Sequence, residues 1–238
     1  MLTKEKTNEK IATDTTDAML KAGVHFGYTK TRRHPSVKSY VLGTKNRVDI
    51  LDTVKVEELL EKAKVFVTAL AGQGKQLLFV GSKPEAREFI KQAAQSLNMP
   101  YVIERWIGGT LTNFPEIKKR VDRLNDLKEK KEKGETGVYT KKEQLLIGRE
   151  IDRLEKYFSG IVAMKNIPGA LFIIDSKHEH IALAEALRMK VPTISLSNSD
   201  CNITNVTYPI IGNDASTSSI SFFVNEIARA YSAGIKVE

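Results

Sequence analysis

Two uninterrupted apolar runs constrain the fold of this chain more than any other feature of its sequence. They are QLLFVG at 76–81 and ALFIID at 170–175. A short strand that is apolar on both faces is typical of a parallel sheet covered on both sides. Helical patterns separate these runs from each other and from further short strands at 101–104 and 193–197. The alternation predicts an α/β protein with a parallel sheet flanked by helices.

The interval 115–158 interrupts this alternation with a strongly charged segment. It contains 13 basic and 10 acidic residues and no strand-like run. Two apolar stripes at helical spacing lie on either side of a turn: Ile117, Val121, Leu124 and Leu127, then Ile147, Ile151, Leu154 and Phe158. Thr140 and Glu143 fit a capping box that begins the second helix. The segment predicts an inserted α-helical coiled-coil hairpin with a seam of its own, projecting from the α/β domain.

The expected organisation has three parts. Residues 1–15 are polar, so we expect a flexible N-terminal tail. Residues 16–114 and 159–238 form the α/β domain, which begins with a basic loop, and residues 115–158 form the hairpin. The first residues contain no apolar segment, so we expect no secretory signal, and no run approaches the ~18 apolar residues of a membrane-spanning helix. A single cysteine excludes an internal disulfide. We therefore expect a cytoplasmic protein without membrane contact.

Positive charge is concentrated near the N-terminus. The whole chain carries a formal net charge of +8. Residues 21–48 contain seven basic residues and no Asp or Glu: Lys21, Lys30, Arg32, Arg33, Lys38, Lys45 and Arg47. A stretch of one sign repels itself unless a polyanion lies opposite, so it favours contact with a phosphate backbone. The alternative is a locally basic surface loop.

Glycine-containing turns raise the alternative of a nucleotide-dependent enzyme with a doubly wound α/β fold. The segment AGQGK at 71–75 lacks the first glycine of a phosphate loop, and Gln76 replaces the hydroxyl that would bind magnesium. Lys83 follows a single glycine, Gly81, which is too little for a dinucleotide fingerprint. Lys83 could hold an RNA phosphate at a helix start, or the turn could simply cap that helix.

Patterns for catalysis or metal binding are weaker still. His178 and His180 lie near Asp175, but no third cluster of ligands is visible, and polar residues at a helix start explain them as well. Cys201 has no partner cysteine and no nucleophile motif around it. We therefore predict no enzyme, no catalytic residue, no bound metal, no cofactor and no small-molecule substrate.

The stretch RWIGGTLTNF at 105–114 is the most unusual in the chain. It joins the single tryptophan to a glycine pair and several small hydroxyl or amide side chains. Glycines let the backbone approach a partner closely, which favours contact with RNA. The alternative is that Trp106 packs under the base of the hairpin and the glycines form the turn into it.

Five blocks in order resemble the S-two family of bacterial small-ribosomal-subunit proteins. The first is AGVHFG at 22–27, followed by TRR at 31–33 and Pro35. The others are LFVGSK at 78–83, the 105–114 stretch, ID at 174–175 with EHIA at 179–182, and YPI at 208–210 with GND at 212–214. The resemblance spans about residues 18–234. It departs at Tyr28, where the family usually has His, and at 202–206, which lack the usual Asp-Pro after Cys201.

The resemblance implies a flavodoxin-like fold with an inserted coiled-coil hairpin. It also implies a structural constituent of the small ribosomal subunit, bound to ribosomal RNA between head and body, beside neighbouring ribosomal proteins that include the S-one protein. Whether the loop at 198–215 holds a metal ion stays open, because of the departure after Cys201. Taken with the charge pattern, this gives a predicted set of RNA-binding residues: His25, Lys30, Arg32, Arg33, Lys38, Lys83, Arg105, Thr110 and Asn113.

Overall fold

The computed structural model describes residues 15–134 and 139–235. The strands, in chain order, are β1 (Phe26–Thr29), β2 (Val41–Lys45), β3 (Val48–Leu51), β4 (Leu77–Val80), β5 (Tyr101–Val102), β6 (Ala170–Ile174), β7 (Thr193–Ser197) and β8 (Tyr208–Ile211). The helices are α1 (15–21), α2 (Thr53–Gly72), α3 (Pro84–Ser96), α4 (Phe114–Glu132), α5 (Lys141–Phe158), α6 (His180–Arg188) and α7 (Thr217–Gly234). The predicted flexible tail at 1–15 lies outside the described residues except for Thr15.

The centre of the fold is a five-stranded parallel sheet in the order β5-β4-β6-β7-β8. Counted along this sheet alone, the order is 2-1-3-4-5, which is the flavodoxin-like arrangement. Every residue of β4, β6 and β7 is buried, as the apolar runs predict. The sequence did not predict β8, because Tyr208–Ile211 is short and contains Pro209. The strand lies at the edge of the sheet, where proline is tolerated.

Helices cover both faces of the sheet. On one face, Leu77 and Phe79 pack with Phe172 and the apolar stripes of α2, α3 and α7. On the other face, Leu78 and Leu171 pack with α6 and with side chains of α4 and α5. The α/β fold with a parallel sheet flanked by helices is therefore confirmed.

A second, antiparallel sheet in the order β1-β3-β2 precedes the main sheet. Strand-like runs at 39–42 and 48–51 predict β2 and β3. The two glycines, the proline and the basic residues of 23–39 predict a loop, and this was wrong for β1. Gly27 explains the difference, since a Cβ there would lie 3.1 Å from both Asp49 Cβ and Ser199 Oγ. Glycine lets β1 approach β3 and residue 199 this closely, since a Cβ would require these neighbours to move by a few tenths of an ångström. The pairing depends on contacts distant in sequence.

The inserted segment forms two packed helices. The first turn of α4 and the last turn of α5 line one cleft, so the helices run in opposite directions. Arg123 pairs with Glu150 at 3.3 Å and Lys128 with Glu155 at 2.8 Å. The predicted capping box between Thr140 and Glu143 is present. A coiled-coil supercoil in this hairpin stays a prediction.

The seam of the hairpin is not separate from the core of the α/β domain, so that part of the prediction was wrong. The buried residues of α4 and α5 belong to the same hydrophobic cluster as Leu78 and Leu171 of the sheet. Trp106, with an exposed fraction of 3%, lies in the same cluster. The base of the hairpin therefore covers part of the second face of the sheet.

This continuity predicts how the hairpin can be shortened. Replacing residues 116–157 with a Gly/Ser linker should lower the midpoint of thermal unfolding markedly, because it uncovers apolar side chains of the sheet. Removing only 129–146 should leave the midpoint near the wild-type value, because it spares Leu124, Leu127 and Leu154. Thermal unfolding followed by circular dichroism compares the two deletions. Equal midpoints for both would show that the hairpin base does not support the sheet.

Candidate nucleic-acid interface

Exposed cations gather on the antiparallel sheet and on the two short 3-10 turns between its first two strands. Among the residues of the basic stretch, five between β1 and β3 have exposed side chains: Lys30, Arg32, Lys38, Lys45 and Arg47. Lys45 and Arg47 were not among the predicted RNA-binding residues. They flank the β2–β3 turn, where Asn46 and Arg47 have φ values of 51° and 66°. This tight turn presents both cations at the tip of the sheet.

A groove lies between the end of β1 and this turn. Among the described residues, its lining consists of Thr29, Lys30, Thr31, Thr44 and Arg47. The backbone N–H of Lys30 donates to the carbonyl of Arg47 at 3.1 Å, which holds the two sides of the groove together. The two cations are donors that bind phosphate oxygens. The hydroxyls of Thr29 and Thr31 lie 3.1 Å apart and share one hydrogen bond, so one O–H group remains available beside them.

Arg33 has a different place from its exposed neighbours. Its guanidinium donates to both carboxylate oxygens of Asp49, at 2.6 Å and 2.5 Å, and Thr44 Oγ1 donates to the same carboxylate at 3.0 Å. Asp49 is fully buried. The hydrogen bond from Arg33 lowers the pKa of Asp49, despite the opposing effect of burial. Arg33 therefore connects the two 3-10 turns, between which it lies, to Asp49 of β3.

Lys83 lies in a buried charge cluster at the carboxyl ends of the parallel strands. Its ammonium contacts Asp175 at 2.5 Å, after β6, and Asp214 at 2.8 Å, after β8. Burial alone would lower the pKa of Lys83, but the two carboxylates outweigh it and raise that pKa well above its usual range. The ammonium faces inward, so it is not presented on the surface as the predicted RNA contact requires.

The same cluster contains the strongest candidate for metal ligation in the described part of the chain. Ligand atoms of Asp175, Cys201 and Asp214 lie within 4.8 Å of one another. The Lys83 ammonium bonds to both of these carboxylates and supplies the positive charge that they need. Burial and the neighbouring carboxylates raise the pKa of the Cys201 thiol to about 12, so at neutral pH it is protonated and a poor ligand or nucleophile. The cluster is suited to holding the strand ends together.

Hydrogen bonds connect this cluster to the antiparallel sheet. Asn198 Nδ2 donates to Asp214 at 3.0 Å, and the backbone N–H of Ser199 donates to the Asn198 side chain at 2.7 Å. Ser199 Oγ then accepts from the backbone N–H of Tyr28 at 2.8 Å, and the Ser199 carbonyl accepts from the N–H of His34 at 2.8 Å. The basic sheet is thereby fixed to the carboxyl edge of the parallel sheet.

The 105–114 stretch is organised by one carboxylate that sequence reasoning missed. Glu185 on α6 accepts from Trp106 Nε1 at 3.1 Å and from the backbone N–H groups of Gly109, Leu111 and Thr112 at 2.7, 2.9 and 3.1 Å. Burial opposes ionisation, but these donors outweigh it and lower the pKa of Glu185. The sequence feature that could have revealed this role is the position of Glu185 on the same face of α6 as the buried Ala182 and Ala186, because a buried acid needs hydrogen-bond donors.

The other predicted residues fall in different environments. Arg105 and Asn113 are exposed, whereas Thr110 is buried and donates its hydroxyl to the carbonyl of Ile107 at 2.6 Å. The His25 ring lies 4.0 Å from the half-exposed ring of Phe26, and its Nδ1 is buried without a partner among the described residues. The predicted set is therefore split between the antiparallel sheet, the strand-end cluster and the base of the hairpin.

These observations define a class of protein. Five exposed cations of the basic stretch lie on or beside one small sheet. The described Lys83, Asp175 and Asp214 at the strand ends are engaged with one another inside the fold. Of the helices that the structure describes, none is both long and apolar enough to cross a membrane. Exposed cations clustered on one sheet of an α/β fold are typical of a nucleic-acid-binding protein.

The family model of ribosomal protein S2 matches residues 19–234, so the chain belongs to this family. It is similar to the small ribosomal subunit protein uS2 of Sulfurimonas denitrificans, with 39% identity over 216 residues that cover 91% of this chain and 83% of the relative. It is also similar to the uS2 protein of Syntrophobacter fumaroxidans, with 40% identity over 216 residues that cover 91% of this chain and 79% of the relative. The chain is thus a structural, non-enzymatic ribosomal protein, and the enzyme alternative is not supported.

Proposed function

We propose that this protein holds its place in the small ribosomal subunit by binding ribosomal RNA through the antiparallel sheet. The observation that supports this most strongly is the groove of Thr29, Lys30, Thr31, Thr44 and Arg47, whose described lining contains two cations and no acidic residue. Lys38 and Arg32, in the short turns between β1 and β2, are further exposed cations of this region. Such a surface neutralises phosphates and releases counterions, so it binds the RNA backbone without reading its sequence.

In this proposal, Arg33 and Lys83 act as positioning residues. Arg33 holds the basic turns through Asp49. Lys83 pairs with Asp214 at the carboxyl ends of the parallel strands, and Asp214 bonds to Asn198, which is linked to the antiparallel sheet. His25, Arg105, Thr110 and Asn113 remain proposed RNA-binding residues. The family resemblance further supports proposing the S-one protein as a neighbour and the cytoplasm as the location.

The groove can be tested through the salt dependence of RNA binding. The double variant Lys30→Gln/Arg47→Gln should bind small-subunit ribosomal RNA more weakly. The slope of log affinity against log salt concentration should fall by about 1.4–1.8, because each phosphate contact contributes roughly 0.7–0.9. Filter binding or fluorescence anisotropy at several salt concentrations measures both quantities.

A matched control removes the same charge elsewhere. Lys62→Gln/Lys91→Gln takes away two exposed cations on α2 and α3, outside the antiparallel sheet. It should leave the slope near the wild-type value. If the two double variants change the slope equally, net charge rather than the groove determines binding.

A further inference from the structure

A second concave surface lies at the base of the hairpin, between the 105–114 stretch and the two hairpin helices. The proposed RNA contact of the antiparallel sheet does not account for this stretch. This hairpin-base cleft has a volume of about 440 Å³ and lies between the Gly108–Gly109 turn and the facing ends of α4 and α5. Its lining combines the glycine pair and Asn113 with Arg120 of α4 and with Arg153 and Tyr157 of α5. A cleft of this size accommodates a small planar group.

The charge of the hairpin-base cleft favours an anionic ligand. Arg120 and Arg153 are exposed, and neither forms an ion pair within the described residues. The acid at the rim, Glu116, is paired with Lys119 at 2.6 Å. Two uncompensated guanidinium groups therefore face the opening, and guanidinium is well suited to phosphate oxygens.

The floor of the cleft favours a planar ring. The half-buried side chain of Tyr157 lines the cleft with the apolar side chains of Ile107, Leu154 and Phe158, and the Lys156 ammonium lies 5.8 Å from the centroid of the Tyr157 ring. Gly108, which also lines the cleft, leaves open space, since a Cβ at this position would meet no atom within 4 Å. Aromatic side chains with nearby cations are the usual platform for an unstacked nucleobase.

The wall of the cleft is fixed before any ligand arrives. The Glu185 carboxylate accepts from the backbone N–H groups of Gly109, Leu111 and Thr112, so the glycine turn cannot collapse into the opening. The side chain of Asn113 makes no capping hydrogen bond to α4 and is exposed at the edge. A preformed site loses less entropy when it binds.

We propose that the hairpin-base cleft binds one unstacked nucleotide of an RNA strand. The base packs against Tyr157, the flanking phosphates lie near Arg120 and Arg153, and the Asn113 amide is available to the edge of the base. This inference rests on the proposed RNA-binding function and adds a second contact, which depends on stacking instead of charge alone. It predicts that the protein prefers RNA with an unpaired nucleotide.

The test uses two RNA stem-loops that differ by a single bulged 2-aminopurine nucleotide, with the full chain and fluorescence anisotropy. The wild type should bind the bulged RNA about tenfold more tightly, in the range that base–aromatic stacking supplies. The emission of 2-aminopurine should fall on binding. Tyr157→Leu and Gly108→Val should each bring the affinity ratio close to one without changing affinity for the unbulged stem.

The controls separate this site from the basic sheet. Arg149→Gln, which removes an exposed arginine of α5 that does not line the cleft, should keep the bulge preference. Arg120→Gln/Arg153→Gln should reduce it. If the wild type binds the bulged and unbulged RNAs equally well, the proposal that the cleft binds a nucleotide is wrong. The proposal that the antiparallel sheet binds RNA would be unaffected, provided that the unbulged stem is still bound. A ratio unchanged by both Tyr157→Leu and Gly108→Val would also overturn the proposal for the cleft. Lys30→Gln/Arg47→Gln should weaken binding of the unbulged stem, whereas Tyr157→Leu and Gly108→Val should not. This comparison tests the proposed function separately from the cleft.

Discussion

Replacing Lys83 with Met should lower the free energy of unfolding by about 3–5 kcal/mol at pH 7, the usual cost of breaking a buried ion pair on one side. The reason is that Asp175 and Asp214 would keep their buried positions after β6 and β8 but lose the ammonium that neutralises them. Urea unfolding followed by circular dichroism measures the change. The exposed Lys62→Met is the matched control, and we expect it to change the free energy by less than about 0.5 kcal/mol.

The pH dependence of this destabilisation identifies its cause. In the wild type, burial opposes ionisation of Asp175, but Lys83 outweighs it and lowers the pKa of that carboxyl. Burial raises the pKa of Asp214. Without Lys83, both carboxyls should have raised pKa values, so the folded variant gains protons more readily than the unfolded chain and is stabilised as the pH falls. The deficit relative to wild type should therefore shrink between pH 7 and pH 5. A deficit that stays constant would mean that lost packing, not unpaired charge, destabilises the variant.

Replacing Glu185 with Gln should lower the free energy of unfolding by about 2–4 kcal/mol, because an amide accepts fewer of the buried N–H groups that the carboxylate now satisfies. The donors come from Trp106 and from the backbone at Gly109, Leu111 and Thr112. Unfolding by urea at pH 7 measures the effect, and the exposed Glu58→Gln serves as the control. An effect no larger than that of Glu58→Gln would show that the turn at 105–114 does not depend on this carboxylate.

The contribution of Glu185 also has a defined pH window. Its pKa in the folded state is lowered, since the donors outweigh burial. A carboxyl with a lowered pKa stabilises the fold above its ordinary pKa of about 4.3, and that stability is lost as the pH falls through the folded value. The difference in stability between wild type and Glu185→Gln should therefore be largest near neutral pH and decrease in acid. Glu185→Gln should also weaken the bulge preference of the hairpin-base cleft, because the glycine turn would no longer be held open.

The sequence predicts the elements whose signal is local. The runs at 76–81 and 170–175 are apolar at every strand position, and the capping box needs only Thr140 and Glu143. The ordered family blocks likewise predict the fold and the ribosomal role, and both are confirmed. The strand β1 was missed because its partners in β3, Val48 and Ile50, pair with it only in the folded chain.

The candidate site was harder to predict because charge alone does not tell where a side chain points. Arg32 and Arg33 are adjacent in one basic run, yet Arg32 is exposed and Arg33 pairs with a fully buried carboxylate. Lys83 resembles a phosphate ligand in sequence, but its partner Asp214 lies 131 residues away. Glu185 contacts Trp106 across 79 residues. Long-range pairings of this kind leave no periodic pattern in a single sequence.

We propose that the antiparallel sheet holds this protein on the small ribosomal subunit through RNA. The most direct test is co-sedimentation of Lys30→Gln/Arg47→Gln with small subunits that lack the native protein, at physiological salt. The claim predicts that this variant unfolds at the wild-type urea concentration but occupies the subunits less, whereas Lys62→Gln/Lys91→Gln occupies them like the wild type. Equal occupancy by the two variants would contradict it.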